Sequence, residues 1–473
     1  MKTTIFLLKT FCLLFGFTFC ASLTYADGPR AKNKKTKATT EQTQKEITAY
    51  FTNYLSGKEN AYTTGNPLKL SDIRNEQQLV WDAWVAANKN YTEEKLPALE
   101  KLSLGKAGKW NLPENLEPNA IMNFYWGSKG EAKPEKGYPL YLYTHGSGHK
   151  DAEWATGLQI CQMFDDAPCA YFIPQIPNMG EYYRWWHKSK QYAWEKLLRQ
   201  AFVSGNINPD KVYFFGISEG GYGSQRLASF YADYLAGAGP MAGGEPLKNA
   251  PAENCRNIAF SLLTGANDQG FYRNKLTQYV KTEFDRLQQK YPESFIHRIE
   301  LIPGRQHAID YRPTTPWLKQ YTRNPYPKYV NWENFEMDGL YRKGFYNLYV
   351  KERSTDNNDS RTYYEMTIQN NEITLNVNEV NYKTVETDPY WGIQLKFEKS
   401  YKPAKKGKVV IYLCNELVDL SQKITVTVNG KKAFNGIVKP DLKHLVNSCA
   451  TFFDPARLYP AAIEVDIEKL ANF

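Results

Sequence analysis

Short apolar runs recur through the middle of the chain, and helical patterns separate the later runs. The runs occupy residues 121–126, 140–143, 170–173, 212–215, 258–263 and 296–302. Apolar residues three or four positions apart mark the helical stretches, which are 188–204, 221–235 and one with Leu276, Val280, Phe284 and Leu287. Strands that alternate with helices are joined by right-handed crossovers and form a mostly parallel sheet covered on both faces. The pattern therefore predicts an α/β fold.

The two ends of the chain carry different patterns. Residues 41–57 and 75–90 are predicted to be helical, the second with an apolar stripe that includes Trp81 and Trp84. Beyond about residue 350 apolar and polar residues alternate, and one such run stops at the hairpin signal Asn429-Gly430. We therefore expect an α/β domain with neighbours on both sides. The predicted parts are a basic linker and helical region (27–115), the α/β domain (116–350) and an antiparallel β module (351–473).

The first residues are typical of a secretory signal peptide. Lys2 is followed by a hydrophobic stretch from residue 5 to 23, and Ala26 is the small residue that precedes cleavage. Residues 1–26 are therefore predicted to be removed on export, which indicates a secreted or periplasmic protein. Lipid attachment at Cys20 is the second interpretation, although Phe19 is bulky where such sites usually have a small residue.

The net charge of +9 is concentrated near the start of the chain. Lys2 and Lys9 lie in the leader, and five more positive charges fall in one short stretch (Arg30, Lys32, Lys34, Lys35 and Lys37). The remainder is nearly neutral and lacks the basic face that a phosphate backbone requires, so no nucleic-acid partner is expected. The mean hydropathy of −0.58 excludes a polytopic membrane protein, and no span is expected after the leader is removed.

Export would permit disulfide bonds among the cysteines that follow the leader. The pairings that stay within one predicted part are Cys161–Cys169 and Cys414–Cys449, which leaves Cys255 free. The cysteine and histidine spacings do not resemble a zinc site, so neither a metal nor another cofactor is expected.

The strongest chemical signal is the segment Gly216-Ile217-Ser218-Glu219-Gly220, which directly follows the apolar run 212–215. A Gly-x-Ser-x-Gly sequence alone is a weak signal, but a strand before it and a helix after it are the context of a nucleophile elbow. The turn is tight, so the glycines two positions either side of the serine avoid collisions. This context predicts that Ser218 is presented at the tip of the turn.

Two further polar residues follow later strands in the order that such a site requires. The run 258–263 leads into Asp268, and the run 296–302 leads into His307. A hydroxyl is a poor nucleophile at neutral pH, so His307 would accept its proton while Asp268 holds the imidazole in the correct tautomer. The rival acid is Asp310, in no strand-end position, and the rival histidines are His149, His187, His297 and His444.

A third element is the loop Tyr143-Thr144-His145-Gly146-Ser147-Gly148 after the run 140–143. A His-Gly loop at this place can supply one backbone donor of an oxyanion hole, and the amide after the nucleophile, that of Glu219, supplies the other. Whether Gly146 or Ser147 donates is left open. His145 is expected to pin the loop.

With these motifs in place, residues 119–310 resemble an α/β-hydrolase. Within that superfamily the chain is similar to secreted bacterial esterases of the polyhydroxybutyrate-depolymerase and dienelactone-hydrolase-like kind. The stretch after His307 and the β-rich tail that follows it resemble the multidomain members of this group. The resemblance implies Ser218 as nucleophile, Asp268 as acid and His307 as base. It also implies Glu219 and the loop 146–147 as oxyanion donors. The long N-terminal region departs from the family pattern.

An aromatic segment, Gly180 to His187, is expected to overhang the carboxyl edge of the sheet. Its rings Tyr183, Trp185 and Trp186 could stack against a sugar or an aromatic acyl group, or they could form a packed cap over the core. The predicted function is hydrolysis of carboxylic esters, on small molecules or attached to a polymer, with acylated carbohydrate as one substrate class. The alternatives are a serine peptidase of the prolyl-oligopeptidase type and a non-catalytic binding protein on a hydrolase scaffold.

Overall fold

The computed structural model describes residues 31–357 and 360–471. The predicted leader, including Cys20, lies outside the described residues. Among the helices that are described, none is long and apolar enough to span a bilayer. The helices are α1 (Ala31–Leu55), α2 (Ile73–Asn90), α3 (Lys150–Met163), α4 (Lys188–Val203), α5 (Glu219–Tyr231), α6 (Arg273–Lys290), α7 (Thr314–Leu318), α8 (Leu442–Phe452) and α9 (Ile467–Ala471).

An eight-stranded sheet forms the centre of the molecule. Its strands are β1 (Ala107–Asn111), β2 (Ile121–Lys129), β3 (Tyr138–Thr144), β4 (Cys169–Pro174), β5 (Ile207–Ile217), β6 (Gly237–Met241), β7 (Ala259–Gly265) and β8 (His297–Ile302). They lie in the order β1-β2-β4-β3-β5-β6-β7-β8. The pairs β1–β2 and β2–β4 are antiparallel and the remaining pairs are parallel. This mostly parallel sheet with interleaved helices is the α/β-hydrolase fold, so the predicted fold class is confirmed.

Burial explains why the inner strands of this sheet were readable in the sequence. Every residue of β3, β4 and β7 is buried, and a parallel strand covered on both faces reads as a continuous apolar run. Two strands were not predicted. The edge strand β1 has mixed polarity, and β6 consists of Gly237-Ala-Gly-Pro-Met241, in which small residues and proline conceal the strand.

The N-terminal helices α1 and α2 pack against α8 from the other end of the chain. Their shared apolar cluster includes Ile47, Phe51, Trp84 and Leu445. The helices predicted over 41–57 and 75–90 are therefore confirmed. The first helix begins earlier than the sequence pattern predicted, at Ala31.

Two further sheets follow the central one. Their strands are β9 (Tyr329–Asn334), β10 (Gly344–Phe345), β11 (Leu348–Glu352), β12 (Ser360–Gln369), β13 (Glu372–Thr387), β14 (Gln394–Pro403), β15 (Lys408–Leu413), β16 (Ile424–Val428), β17 (Lys431–Gly436) and β18 (Ala461–Asp466). One sheet has the order β17-β16-β13-β12-β9 with β14 beside β13, and the other has the order β10-β11-β15-β18. The strands of this β module begin at Tyr329, and the pair β13–β16 is parallel rather than antiparallel.

Neither of the two possible disulfide pairings is formed, because Cys161, Cys169, Cys255, Cys414 and Cys449 are all free and buried. Cys414 and Cys449 belong to different apolar clusters. The Cys169 thiol donates a hydrogen bond to the Asp166 carboxylate at 3.3 Å. Each thiol therefore acts as a small core side chain.

Candidate active site

Ser218 stands at a sharp turn between β5 and α5. Its backbone has φ 58° and ψ −113°, a positive-φ conformation that a residue with a side chain adopts only where its surroundings enforce it. The Ser218 N–H donates to the carbonyl of Met241 at the end of β6, at 3.0 Å. The neighbouring strand thereby fixes the turn, and the serine side chain stays partly exposed.

Close backbone contacts explain the glycines that flank the serine. A Cβ on Gly216 would lie 2.1 Å from Thr144 Oγ1, and one on Gly220 would lie 1.9 Å from the Thr144 carbonyl oxygen. Any larger residue at either position would push β3 away from the turn. The two glycines thus allow the end of β3 and its following loop to pack directly against the turn.

His307 and Asp268 converge on this turn from the loops that follow β8 and β7. His307 Nε2 lies 3.0 Å from Ser218 Oγ. His307 Nδ1 lies 2.7 Å from Asp268 Oδ2. The Asp268 carboxylate is almost fully buried, whereas the His307 side chain is 43% exposed. The three side chains form one hydrogen-bonded chain that opens to solvent at the imidazole.

The rival residues lie elsewhere in the fold. The Asp310 carboxylate pairs with Arg312 at the surface, which lowers its pKa to about 2. His149 is exposed at the start of α3. The His187 side chain accepts a hydrogen bond from the Ser189 N–H at the start of α4. His297 pairs with Asp285, and His444 lies on α8. None of these rivals is hydrogen-bonded to Ser218 or Asp268 in the part of the chain that is described.

The His-Gly loop runs beside the serine. A Cβ on Gly146 would lie 3.5 Å from Ser218 Cβ, close enough for contact. The buried His145 ring donates from Nδ1 to the Gly146 carbonyl at 2.8 Å and accepts at Nε2 from the Ile176 N–H at 3.1 Å. Burial lowers the pKa of His145 to about 4, so the ring is neutral and holds the loop, as expected.

The Gly146 carbonyl also accepts a hydrogen bond from the Tyr183 hydroxyl, at 2.5 Å. In a trans peptide the carbonyl and the following N–H point in opposite directions. The Ser147 N–H therefore points away from Tyr183. The other proposed donor is the N–H of Glu219. Glu219 is the first residue of α5, and the first N–H groups of a helix have no acceptor within the helix, so this N–H has no partner inside α5.

Two residues of the aromatic segment, Tyr183 and Trp185, brace this loop. Trp185 is fully buried, and its indole N–H donates to the His145 carbonyl at 2.9 Å. Trp186 is partly buried under the Arg226 guanidinium, which lies 3.9 Å from the ring centroid. The contact with substrate predicted for Trp185 does not fit this burial, and the packed-cap interpretation does.

Sequence reasoning missed two charged residues that support the site. The Arg273 guanidinium donates to Asp268 Oδ1 at 3.2 Å and so occupies the carboxylate oxygen that His307 does not use. Glu153 accepts the Gly148 N–H at 3.1 Å and fixes the far side of the His-Gly loop. Neither residue belongs to a motif, and α3, which carries Glu153, was not predicted. No group of side chains suited to a metal ion occurs among the described residues.

Neither a model of a known protein family nor a curated protein matches the chain. Among solved structures, a thermostable esterase has 18% identity and a TM-score of 0.36, covering 46% of this chain and 63% of its own. The BES protein from Bacillus cereus has 12% identity and a TM-score of 0.36, covering 48% and 98%. A ferulic acid esterase from Anaeromyces mucronatus has 14% identity and a TM-score of 0.33, covering 48% and 92%. Likenesses of this size assign no function, so the functional argument rests on the site itself.

Proposed function

We propose that the protein is an exported serine hydrolase that cleaves carboxylic esters through Ser218, His307 and Asp268. The observation that carries the proposal is the continuous chain of hydrogen-bonding distances, 3.0 Å from Ser218 Oγ to His307 Nε2 and 2.7 Å from His307 Nδ1 to Asp268 Oδ2. A general base within hydrogen-bond reach of a hydroxyl, itself oriented by a carboxylate, is the arrangement that activates a serine.

In the first half of the reaction Ser218 Oγ attacks the ester carbonyl carbon while its proton moves to His307 Nε2. The Asp268 carboxylate stabilises the imidazolium that forms. The carbonyl oxygen becomes an oxyanion, which the N–H groups of Glu219 and of Gly146 or Ser147 would bind. When the tetrahedral intermediate collapses, the alcohol departs with the proton from His307 and leaves an acyl group on Ser218.

The second half repeats these steps with water as the nucleophile. His307 takes a proton from the water as it attacks the acyl carbon, and returns that proton to Ser218 Oγ when the acid is released. The exposed edge of His307 supports this step, because water can reach the imidazole without crossing the core. The reaction consumes one ester and one water and yields an acid and an alcohol.

The strands that precede Ser218 in the described part of the chain favour ester substrates over peptides. A peptidase of the prolyl-oligopeptidase type has a propeller ahead of its catalytic domain, whereas β1 to β5, the strands described before Ser218, all belong to the central sheet. We propose ester substrates with the acyl group on a small alcohol or a carbohydrate. A non-catalytic binding protein would need neither the strained backbone of Ser218 nor the hydrogen bond between His307 and Ser218.

Substitution of the nucleophile tests the proposal. Ser218→Ala should lower kcat on p-nitrophenyl acetate by a factor on the order of 10⁵–10⁶, because the acyl-enzyme cannot form. A fluorophosphonate probe should label the wild-type protein and not the variant. Ser421→Ala, which removes an exposed serine hydroxyl in the β module, is the matched control and should behave as wild type. Full activity or labelling of Ser218→Ala would refute the proposal.

A further inference from the structure

The hairpin of β13 and β14 extends beyond the sheet to which it belongs. The pairing of β12 with β13 ends at Ser360 opposite Asn381, whereas β13 continues to pair with β14 as far as Thr387 opposite Gln394. From residue 382 to 399 the hairpin is therefore a two-stranded ribbon, which we call the arm. A two-stranded ribbon is marginally stable in water on its own, so its position depends on what it contacts.

The arm is anchored beside the loop that carries Asp268. The Tyr272 hydroxyl donates to the Asp388 carboxylate at the tip of the arm. The Lys275 ammonium pairs with Glu386, whose other oxygen accepts from the Tyr279 hydroxyl at 2.5 Å. Tyr272 ends the loop after Asp268, and the other two residues lie on α6. The C-terminal module thus contacts the loop that carries Asp268 and the helix that follows it.

Three large aromatic rings are exposed where the arm meets this loop. Phe271 is 54% exposed, Tyr390 is 79% exposed and Trp391 is 60% exposed. The ring centroids of Phe271 and Trp391 are 5.8 Å apart, and those of Tyr390 and Trp391 are 4.8 Å apart. We call these three residues the aromatic platform. Contiguous apolar surface of this kind marks a binding site, whereas single exposed rings do not.

The aromatic platform is connected to Asp268 through Arg273. The Arg273 guanidinium lies 5.6 Å from the Phe271 ring centroid, and its Nη1 donates to Asp268 Oδ1 at 3.2 Å. Phe271 and Tyr272 have φ values of 49° and 60°, a left-handed conformation that costs free energy for residues with side chains. The loop is therefore held in a strained shape that brings Phe271 against Trp391, one residue contact removed from Asp268.

We propose that the aromatic platform binds a neutral sugar ring of a carbohydrate whose ester group lies at Ser218. The proposal rests on the proposed function and narrows its substrate class. A pyranose can place its C–H face on an aromatic face while its hydroxyls remain in water, which suits rings that are more than half exposed. An aliphatic acyl chain would instead require an enclosed apolar pocket. The charged groups next to the platform are engaged within the protein: Lys275 pairs with Glu386, Arg273 with Asp268, and Asp388 accepts from the Tyr272 hydroxyl and the Trp391 N–H. This arrangement favours an uncharged ligand.

Direct binding tests the proposal without turnover. The Ser218→Ala protein would be titrated with unesterified xylohexaose, cellohexaose and mannohexaose by calorimetry. At least one oligosaccharide should bind, and adding Trp391→Ala should weaken its affinity about tenfold, because one stacked ring is lost. The matched control is Tyr192→Ala, which removes an exposed ring from α4. Failure of all three sugars to bind at millimolar concentration, or equal weakening by Tyr192→Ala, would overturn the proposal.

Kinetics on the wild-type background give a second measurement. Trp391→Ala should lower the ratio of kcat/KM on an acetylated form of the bound oligosaccharide to that on p-nitrophenyl acetate about tenfold, mainly through KM. An unchanged ratio would contradict the platform. If Trp391→Ala instead dissociates an oligomer in sedimentation, the surface is an interface between copies and the proposal is wrong. If the protein binds the sugar and hydrolyses no ester, the proposed function is refuted and the sugar-binding role of the aromatic platform is retained.

Discussion

Two clusters of polar residues in this molecule each pair a carboxylate with a basic group, but they differ in their access to solvent. One is the candidate triad of Ser218, His307 and Asp268. The other, which we call the buried ion cluster, consists of Asp233, Arg323, Arg342, Asp454 and Arg457. Both contain carboxylates within 3 Å of a basic group. The first is open to solvent at an imidazole that is 43% exposed, whereas Asp233, Arg323, Asp454 and Arg457 of the second are buried.

Saturation of partners explains the difference. Arg457 bonds to both Asp233, at 2.5 Å, and Asp454, at 2.8 Å, and each of these carboxylates also accepts from a second arginine. Burial alone would raise the pKa of Asp454, but Arg323 and Arg457 outweigh it and lower that pKa. Each carboxylate of the buried ion cluster is thus held by two arginines away from solvent, although Nη2 of Arg457 has no hydrogen-bond partner among the described residues. Close contacts between charged groups are therefore not sufficient to identify a catalytic site. A base that solvent can reach is also needed.

The largest expected difference between the two clusters is the loss of activity when a triad residue is changed. Asp268→Asn should lower kcat on p-nitrophenyl acetate by roughly 10⁴-fold with the fold intact, because the amide favours the wrong tautomer of His307. Steady-state kinetics together with circular dichroism would measure both properties. Asp310→Asn changes the rival carboxylate, which pairs with Arg312 at the surface, and should retain activity. A large loss from Asp310→Asn and none from Asp268→Asn would reverse the assignment.

The buried ion cluster should respond in stability rather than in chemistry. Arg457→Met leaves Asp233 and Asp454 each with one fewer cation in the interior, which should destabilise the fold by about 3–5 kcal/mol. Chemical denaturation would measure this loss, and the protein that remains folded should keep its kcat. Arg312→Met removes an exposed ion pair and should have little effect on stability. A lower kcat without loss of stability in Arg457→Met would give the buried ion cluster a catalytic role.

The sequence disclosed the first cluster and concealed the second for a physical reason. Ser218 lies between a continuous apolar run and a helix, and its two partners each follow a strand, so local pattern and chain order were sufficient. Asp233 and Arg457 are 224 positions apart, and no local periodicity records their contact. The same limit applies to Arg273 and to the buried orientation of Trp185, which depend on tertiary packing. The strand β6 was concealed by its glycines and proline.

Glu219 lies between these two extremes, because it is next to the nucleophile and yet largely withdrawn from water. Burial, with a smaller contribution from Glu245, raises its pKa from 4.5 to about 7, although Arg226 and Arg184 oppose the shift. Between these values the folded protein holds a proton that the unfolded chain has released. The contribution of Glu219 to stability therefore falls as the pH rises from about 4.5 to about 7, and the cost is complete above that range.

Glu219→Gln removes this titration while it keeps the backbone N–H proposed for the oxyanion hole. The variant should match the wild type in stability near pH 4 and exceed it at pH 8 by about 1–3 kcal/mol, since the wild type must then bury a carboxylate. Urea denaturation at the two pH values measures the difference. Glu372→Gln, at an exposed position on β13, is the matched control and should gain nothing at pH 8. An equal gain for Glu219→Gln at both pH values would show that packing, and not charge, separates Glu219 from the saturated carboxylates of the buried ion cluster.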